Sequence, residues 1–385
     1  MAIDSSSRIF VAGGSGMVGS AVVRRLLSSG YTNVIASYRS RSPVAPAGGL
    51  PITGRAGLRW VQLDLTRQNE TEAFFEKERP RYVVMAAAKV GGIVANNTYR
   101  AEFIYDNMAI ASHIVRSSHR TGVQKLLNLG ASCIYPRLAP QPLREEYLLT
   151  GPLEPTNEPY AIAKIAAIKL CRYFNEQYGT NYLSLVPTNL YGPEDNFNLE
   201  TSHLLPALIR KFHLGKLLAA GDYAQIAADI GRTPFGSGSE GRIETKRDAA
   251  SITLALEKTG ITAGAVTLWG TGRPYREFLH VDDLSAGVLL FLEYCDAGDV
   301  GEFVNIGAGE DRTIDEIARL VKETVGFKGE IVYDATKPDG MPRKVLDVSR
   351  MAALGWRPSI DLGEGIRRTY EWYTAKPSLV AGGHE

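Results

Sequence analysis

Tyr160-Ala161-Ile162-Ala163-Lys164 places a phenol and an ammonium four residues apart, on one face of a helix. The charge of Lys164 would lower the phenol pKa and could hold ribose hydroxyls, making Tyr160 a proton donor to a carbonyl that receives hydride. Near the start of the chain, Gly13, Gly16 and Gly19 are spaced by three. Gly13 and Gly16 would let the backbone turn tightly beside a pyrophosphate, and Gly19 would let a helix pack closely. Ser15, Met17 and Val18 complete the turn and the helix start that would face the anion. A purely structural tight turn is the alternative. The stretch LGASCIYP at 129–136 gathers Ala131, Ser132, Cys133 and Tyr135. Taken alone, Cys133 reads more readily as a buried strand-end residue and His203 as a cap or loop histidine.

Elements that could position these groups follow from hydrophobic patterning. RIFVA, NVIASY, LRWVQLDL, YVVMAAA, KLLNLGAS and YLSLVPTNLYG read as buried strands separated by amphipathic segments. This alternation predicts an α/β fold, a Rossmann-type doubly wound parallel sheet over 1–190. A smaller C-terminal α+β substrate-binding lobe is expected over 191–385, with about 269–300 returning to the first domain. Its short strands are VTLWG, EFVNIG and EIVYD. Residues 221–264 read as an insertion in that lobe, with a Gly/Ser-rich loop in the first half and one helix in the second.

The end of the second strand bears on the choice of nucleotide. An NAD site usually has an Asp or Glu there; this chain has Tyr38-Arg39-Ser40-Arg41. Guanidinium groups at Arg39 and Arg41 suit a 2′-phosphate, which favours NADP(H), while a solvated basic turn is the bland alternative. Asp64, at the end of the third strand, is a candidate for the adenine amino group.

With 43 Lys plus Arg against 42 Asp plus Glu, the net charge of +1 gives no reason to expect a nucleic-acid or membrane-surface partner. An anionic ligand would need a local cluster of cations. Cys133, Cys171 and Cys295 lack the spacing of a metal site, so no metal is expected, and they read as reduced thiols in a cytosolic protein. No run reaches the ~18 apolar residues of a transmembrane helix.

Coming after a nucleotide turn, the Tyr-x-x-x-Lys helix makes the chain resemble the short-chain dehydrogenase/reductase superfamily from about residue 8 onward. Within that superfamily, AAAKVGGIVANNTYRAEFIYDNM, SCIYP, GPLEPTNEPYAIAKIAAIKLC, PTNLYGPEDNF, SHLLPALIRKFH, WGTGRPYREFLHVDD and KPDGMPRKVLD resemble the GDP-L-fucose synthase family. These are GDP-4-keto-6-deoxy-D-mannose 3,5-epimerase/4-reductases. The resemblance implies an NADPH-dependent enzyme, usually a homodimer, that inverts C3 and C5 of a GDP-sugar and then reduces C4. It assigns proton transfer at C3 and C5 to Cys133 and His203, and C4 protonation to Tyr160 supported by Lys164. Pro187, Thr188, Asn189 and Leu190 are implied as nicotinamide-side contacts, with His203 also beside the cofactor. Lys211, Trp269, Arg276 and Asp339 are implied as contacts to the GDP-sugar.

The chain departs from the family at Ala131, where the family carries its catalytic serine. An alanine offers no hydrogen bond to the C4 oxygen. Ser132 could substitute only if the strand end were re-aimed, because adjacent strand residues face opposite sides. Two further expectations remain open: activity on another GDP-4-keto sugar, such as a deoxyheptose or dideoxyhexose, and a weakened protein that binds GDP-sugar or NADPH. A Pro/Gly-rich segment, 41–57, reads as a surface loop near the adenosine end.

Overall fold

The computed structural model describes residues 3–40, 56–235 and 248–375. Six strands, β1 (Ile9–Ala12), β2 (Val34–Tyr38), β3 (Leu58–Gln62), β4 (Tyr82–Met85), β5 (Lys125–Leu129) and β6 (Tyr182–Pro187), join Val304–Ile306 in one sheet. Its order is Val304–Ile306, β6, β5, β4, β1, β2, β3, and every neighbouring pair is parallel. The direction of winding reverses between β1 and β4. A crevice therefore opens beyond their carboxyl ends, where a doubly wound sheet binds its ligands.

All four residues of β1 are buried, and successive side chains enter opposite layers, as in a sheet covered on both faces. Ile9 and Val11 pack into one apolar layer, with Val22, Leu26, Leu284 and Phe291. Phe10 and Ala12 enter the other, with Phe75, Ile114 and Cys171. The helices Met17–Ser28 and Val281–Tyr294 cover the first face; Gln68–Glu78, Arg100–Thr121 and Glu158–Tyr178 cover the second. Val304–Ile306 lay in the segment expected to be lobe. It instead extends the sheet, pairing Val304 with Leu185 and Ile306 with Pro187. A three-residue apolar run does not reveal its sheet; only the returning helix before it brings it beside β6.

The lobe has its own core, in which Leu208 and Phe212 of the helix Leu204–Ala219 meet Ile317 and Val321 of Ile314–Val325. Ala265–Trp269 and Glu330–Asp334 pair in parallel beside it. Within the first half of the insertion, residues 223–232 depart from the expected loop, while the Gly/Ser-rich stretch from 236 lies outside the described residues. Tyr223–Arg232 is a ten-residue helix whose N-cap, Asp222, accepts from Gln225 N–H at 3.1 Å. Buried Ile226 anchors it. Ala249–Lys258 supplies the helix expected in the second half.

Buried polar bonds fasten the insertion to the lobe. Arg210 is fully buried; its guanidinium donates to Asp229 at 2.9 Å and to the Phe197 carbonyl at 3.1 Å. Tyr373, on the helix Leu362–Ala375, donates to the other oxygen of Asp229. The insertion helix, the helix that begins after His203 and the C-terminal helix thus meet at one carboxylate.

Candidate active site

The glycine turn sits at the carboxyl end of β1. Gly13 has φ of +79°, and a Cβ there would lie 2.7 Å from Ala87 Cα. Gly19 has a different requirement: its Cβ would lie 2.1 Å from the Gly13 carbonyl oxygen, so only glycine lets the helix seat on the turn. At Gly16 a Cβ would meet only the Gly13 oxygen, at 3.6 Å, leaving room above the turn. The helix Met17–Ser28 begins there without a side-chain cap or an acidic residue in its first turn. The amides near Ser15, Gly16, Met17 and Val18 therefore fit a dinucleotide pyrophosphate.

The adenosine end is less fully assembled. Arg39 is exposed just beyond β2, and its charge acts on Asp64. Burial pushes the Asp64 carboxyl up, but hydrogen bonds from Thr66 and the charges of Arg39 and Arg67 hold it below the usual range overall. Its Oδ1 already accepts from the Thr66 amide and hydroxyl, at 3.0 and 2.7 Å. Arg41, the other expected phosphate contact, lies outside the described residues.

Tyr160 and Lys164 project from the helix Glu158–Tyr178. Lys164 Nζ donates to the Leu129 carbonyl at 2.7 Å and lies 5.7 Å from the centre of the Tyr160 ring. This bond pins the helix to the end of β5, immediately before the LGASCIYP turn. Burial lowers the Lys164 pKa to about 8. The phenol does not follow the expected downward shift. Burial, followed by the neighbouring Cys133, raises its pKa, while the Lys164 ammonium is bonded to the Leu129 carbonyl. Tyr160 is accordingly held as an acid.

In the turn after β5, Ala131 is extended and precedes one turn of 3-10 helix over Ser132–Ile134. Ala131 and Cys133 are half-buried, whereas Ser132 is 4% exposed. Ser132 thus does not share the more open side of Ala131. Burial pushes the Cys133 thiol pKa up; the charges of Lys344 and Lys164 pull it down. His203 caps the start of Leu204–Ala219 with extended backbone and remains solvent-accessible. Its surroundings lower its pKa by desolvation, and the Lys344 charge adds to the effect.

Lys344 is therefore a site residue that sequence reasoning missed. It lies in a loop, where a lysine ordinarily belongs to solvent, and only the fold brings its charge to both Cys133 and His203. The 187–190 segment leaves β6 at the same edge. Thr188 N–H donates to the Ile306 carbonyl at 3.0 Å, and Asn189 Nδ2 to the Glu277 carbonyl at 2.8 Å. Leu190 lies in the short strand Asn189–Tyr191, paired with Phe278–His280.

The implied GDP-sugar contacts are spread over the lobe. Trp269 is 61% exposed, with Lys337 Nζ 5.6 Å from its ring centre. Arg276 is half-buried and donates to the Tyr275 and Met341 carbonyls, both at 2.7 Å; Asp339 acts on its charge. Asp339 accepts from Thr271 N–H at 2.6 Å and its hydroxyl at 2.8 Å. Lys211 is more committed. Its ammonium donates to the Thr259 and Thr267 carbonyls, at 2.8 and 2.9 Å, and burial lowers its pKa to about 8. Two of its three donors thus tie the insertion to the strand leading to Trp269.

Residues 9–242 and 217–307 match the NAD dependent epimerase/dehydratase family. The chain belongs to this family. It is 45% identical to GDP-L-fucose synthase 1 of Arabidopsis thaliana, with 96% of this chain and 94% of the relative covered. It is 43% identical to GDP-L-fucose synthase of Escherichia coli (strain K12), covering 98% and 100%. Among solved structures, a GDP-6-OMe-4-keto-L-xylo-heptose reductase from C. jejuni superposes with a TM-score of 0.83 at 35% identity, covering 97% of this chain and 99% of that one. The family match agrees with a glycine turn and a Tyr-x-x-x-Lys helix at one edge of a parallel sheet.

Proposed function

We propose that the protein is an NADPH-dependent GDP-L-fucose synthase, converting GDP-4-keto-6-deoxy-D-mannose to GDP-L-fucose by 3,5-epimerisation and 4-reduction. The observation that carries this reading is the common electrostatic neighbourhood of the proton-handling groups. Cys133 acts on Tyr160 and Lys164, Lys164 acts on Cys133 in turn, and Lys344 acts on Cys133 and His203. The similarity to curated GDP-L-fucose synthases over nearly the whole chain supports the same substrate.

The C4 ketone acidifies the protons at C3 and C5, and inversion there requires groups that take and return protons. Cys133 and His203 have suitable chemistry for this exchange. Tyr160, held protonated by burial, gives its proton to the C4 oxygen during reduction. Lys164 fixes the helix that carries Tyr160 and can hold ribose hydroxyls. When bound, NADPH supplies the hydride to C4. Gly13, Ser15, Gly16, Met17, Val18 and Gly19 would hold its pyrophosphate, while Arg39 and Arg41 are suited to its 2′-phosphate. Pro187, Thr188, Asn189 and Leu190 lie on the nicotinamide side in this reading, and Lys211, Trp269, Arg276 and Asp339 on the GDP-sugar side.

Two further assignments complete it. Residues 1–190 with the returning segment form the cofactor domain, and the rest of 191–385 forms the substrate lobe. The protein acts as a homodimer through the paired helices Arg100–Thr121 and Glu158–Tyr178, which expose Tyr105, Met108, Ile162 and Tyr173. Among the described residues no helix is long and apolar enough to cross a membrane, and the three free thiols suit the reducing cytosol.

Incubation with GDP-4-keto-6-deoxy-D-mannose in D₂O, with and without NADPH, tests the reaction. Deuterium should enter at C3 and C5, and NADPH should be oxidised as the sugar is reduced. Binding of the nucleotide sugar with neither signal would remove the assignment.

A further inference from the structure

Glu277 has no part in the proton transfers, yet it is fully buried between two short strands. Tyr275–Arg276 lies before it and pairs with Arg312–Thr313; Phe278–His280 lies after it and pairs with Asn189–Tyr191. Its carboxylate Oε1 accepts from Gly309 N–H at 2.8 Å, and its Oε2 from Leu346 N–H at 2.8 Å. The second bond fixes the backbone two residues beyond Lys344. Its main-chain carbonyl instead accepts from Asn189 Nδ2 at 2.8 Å and Thr188 Oγ1 at 3.5 Å, on the cofactor side.

We infer that Glu277 is a positioning residue whose carboxylate holds the Gly309 turn and the Lys344 segment, beside Arg276, in register over the GDP-sugar. Its backbone carbonyl separately braces the nicotinamide side. This inference rests on the GDP-sugar reading above.

The division follows from hydrogen-bond chemistry. An ionised carboxylate can accept an amide on each oxygen, whereas the amide of Gln has one acceptor and would turn N–H donors toward one of those amides. Crowding around Oε1 makes a second perturbation available. A Cβ at Gly307 would lie 2.2 Å from that oxygen, so the position admits the carboxylate only because it is glycine. Neither change removes the carbonyl that receives Thr188 and Asn189.

The first measurement is GDP binding to the wild-type protein by calorimetry, followed by separate KM values for GDP-sugar and NADPH in Glu277→Gln. The variant should raise the GDP-sugar KM about tenfold, the consequence of roughly one lost hydrogen bond. The NADPH KM should not move. Gly307→Ala, with the carboxylate retained but displaced, should give the same selective rise. Failure of the wild type to bind GDP would overturn the GDP-sugar reading itself. GDP binding with no selective effect in the variants, or an equal rise in both KM values, would overturn only the role of Glu277. If neither variant folds, amide exchange in the wild type decides: GDP should slow exchange at Gly309 and Leu346, and unchanged exchange would reject the inference.

Discussion

The proposed cofactor side of the cleft and its proposed substrate side are built differently. Neighbouring residues make the first: Gly13 through Gly19 form a turn whose shape is imposed by backbone contact, down to a 2.1 Å approach at Gly19. Widely separated residues make the second. Cys133, His203, Arg276 and Lys344 are gathered by helices and loops that are tied by buried polar groups. The glycine turn is therefore encoded locally, while the proposed substrate site depends on the long-range packing of the lobe.

This contrast breaks most sharply at Tyr160. Tyr160→Phe should lower the reduction rate by ~10²- to 10⁴-fold, the usual contribution of a positioned general acid, while GDP-sugar and NADPH still bind. Deuterium entry at C3 and C5, followed by mass, should outlast NADPH oxidation, followed by absorbance. Equal loss of both signals would show that Tyr160 also serves proton exchange and that the two halves are not chemically separable.

The matching break on the lobe side should appear as stability. Asp229→Asn leaves the buried Arg210 guanidinium without its charge partner and should cost ~3–5 kcal/mol in a denaturant titration. The sheet half need not unfold in the same transition. A variant with unchanged stability would mean that the insertion helix is not fastened through this carboxylate.

Ala131 tests the junction between the two sides. Ala131→Ser would put a hydroxyl at the position where the resembling family has one, and should raise NADPH oxidation by ~10²- to 10³-fold if it supplies an oxyanion donor. An unchanged rate would show that this chain already meets that need with another group. Ser132 is a poor choice for that group, being buried at 4% exposure while Ala131 and Cys133 are half-open.

Sequence legibility follows the same division. Gly13, Gly16, Gly19 and the Tyr160–Lys164 helix could be read because each signal is contiguous, and β1, β2, β4, β5 and β6 because each is a largely buried apolar run; β3, LRWVQ, has no buried residue. Val304–Ile306 was misplaced because its identity as a sheet strand resides in its partner, β6. Tyr223–Arg232 looked like loop because its helix is secured from outside its own segment, by Arg210 on the preceding helix and by Tyr373, 144 residues from Asp229. Lys344 and Glu277 left no local trace, since a charged residue in a loop looks solvated until topology buries it. The direction of the Tyr160 pKa could not be read either. Spacing puts Lys164 on the same face, but only the fold turns its ammonium to Leu129.

The smallest expected effect, a pH dependence, also probes the lobe's polar fastening. His213 is 8% exposed, and its Nδ1 lies 3.1 Å from the Tyr370 hydroxyl. Burial pulls its pKa down to about 4; Asp229 opposes this, while Arg232, Lys216 and Arg210 reinforce it. An unfolded histidine takes a proton near pH 6.5, whereas folded His213 resists until about 4. The unfolded state consequently binds more protons between those values. His213 contributes its stability fully above pH 6.5 and loses it as pH falls toward 4, by ~1.4 kcal/mol per pH unit at most. His203 and His280 are also lowered, so the measurement is the difference between wild type and His213→Gln in denaturant titrations from pH 7 to 5. The wild type should lose more stability on acidification. A flat difference would mean that folded His213 accepts the proton, with Asp229 reaching it and the carboxylate joining the three helices less firmly committed to Arg210.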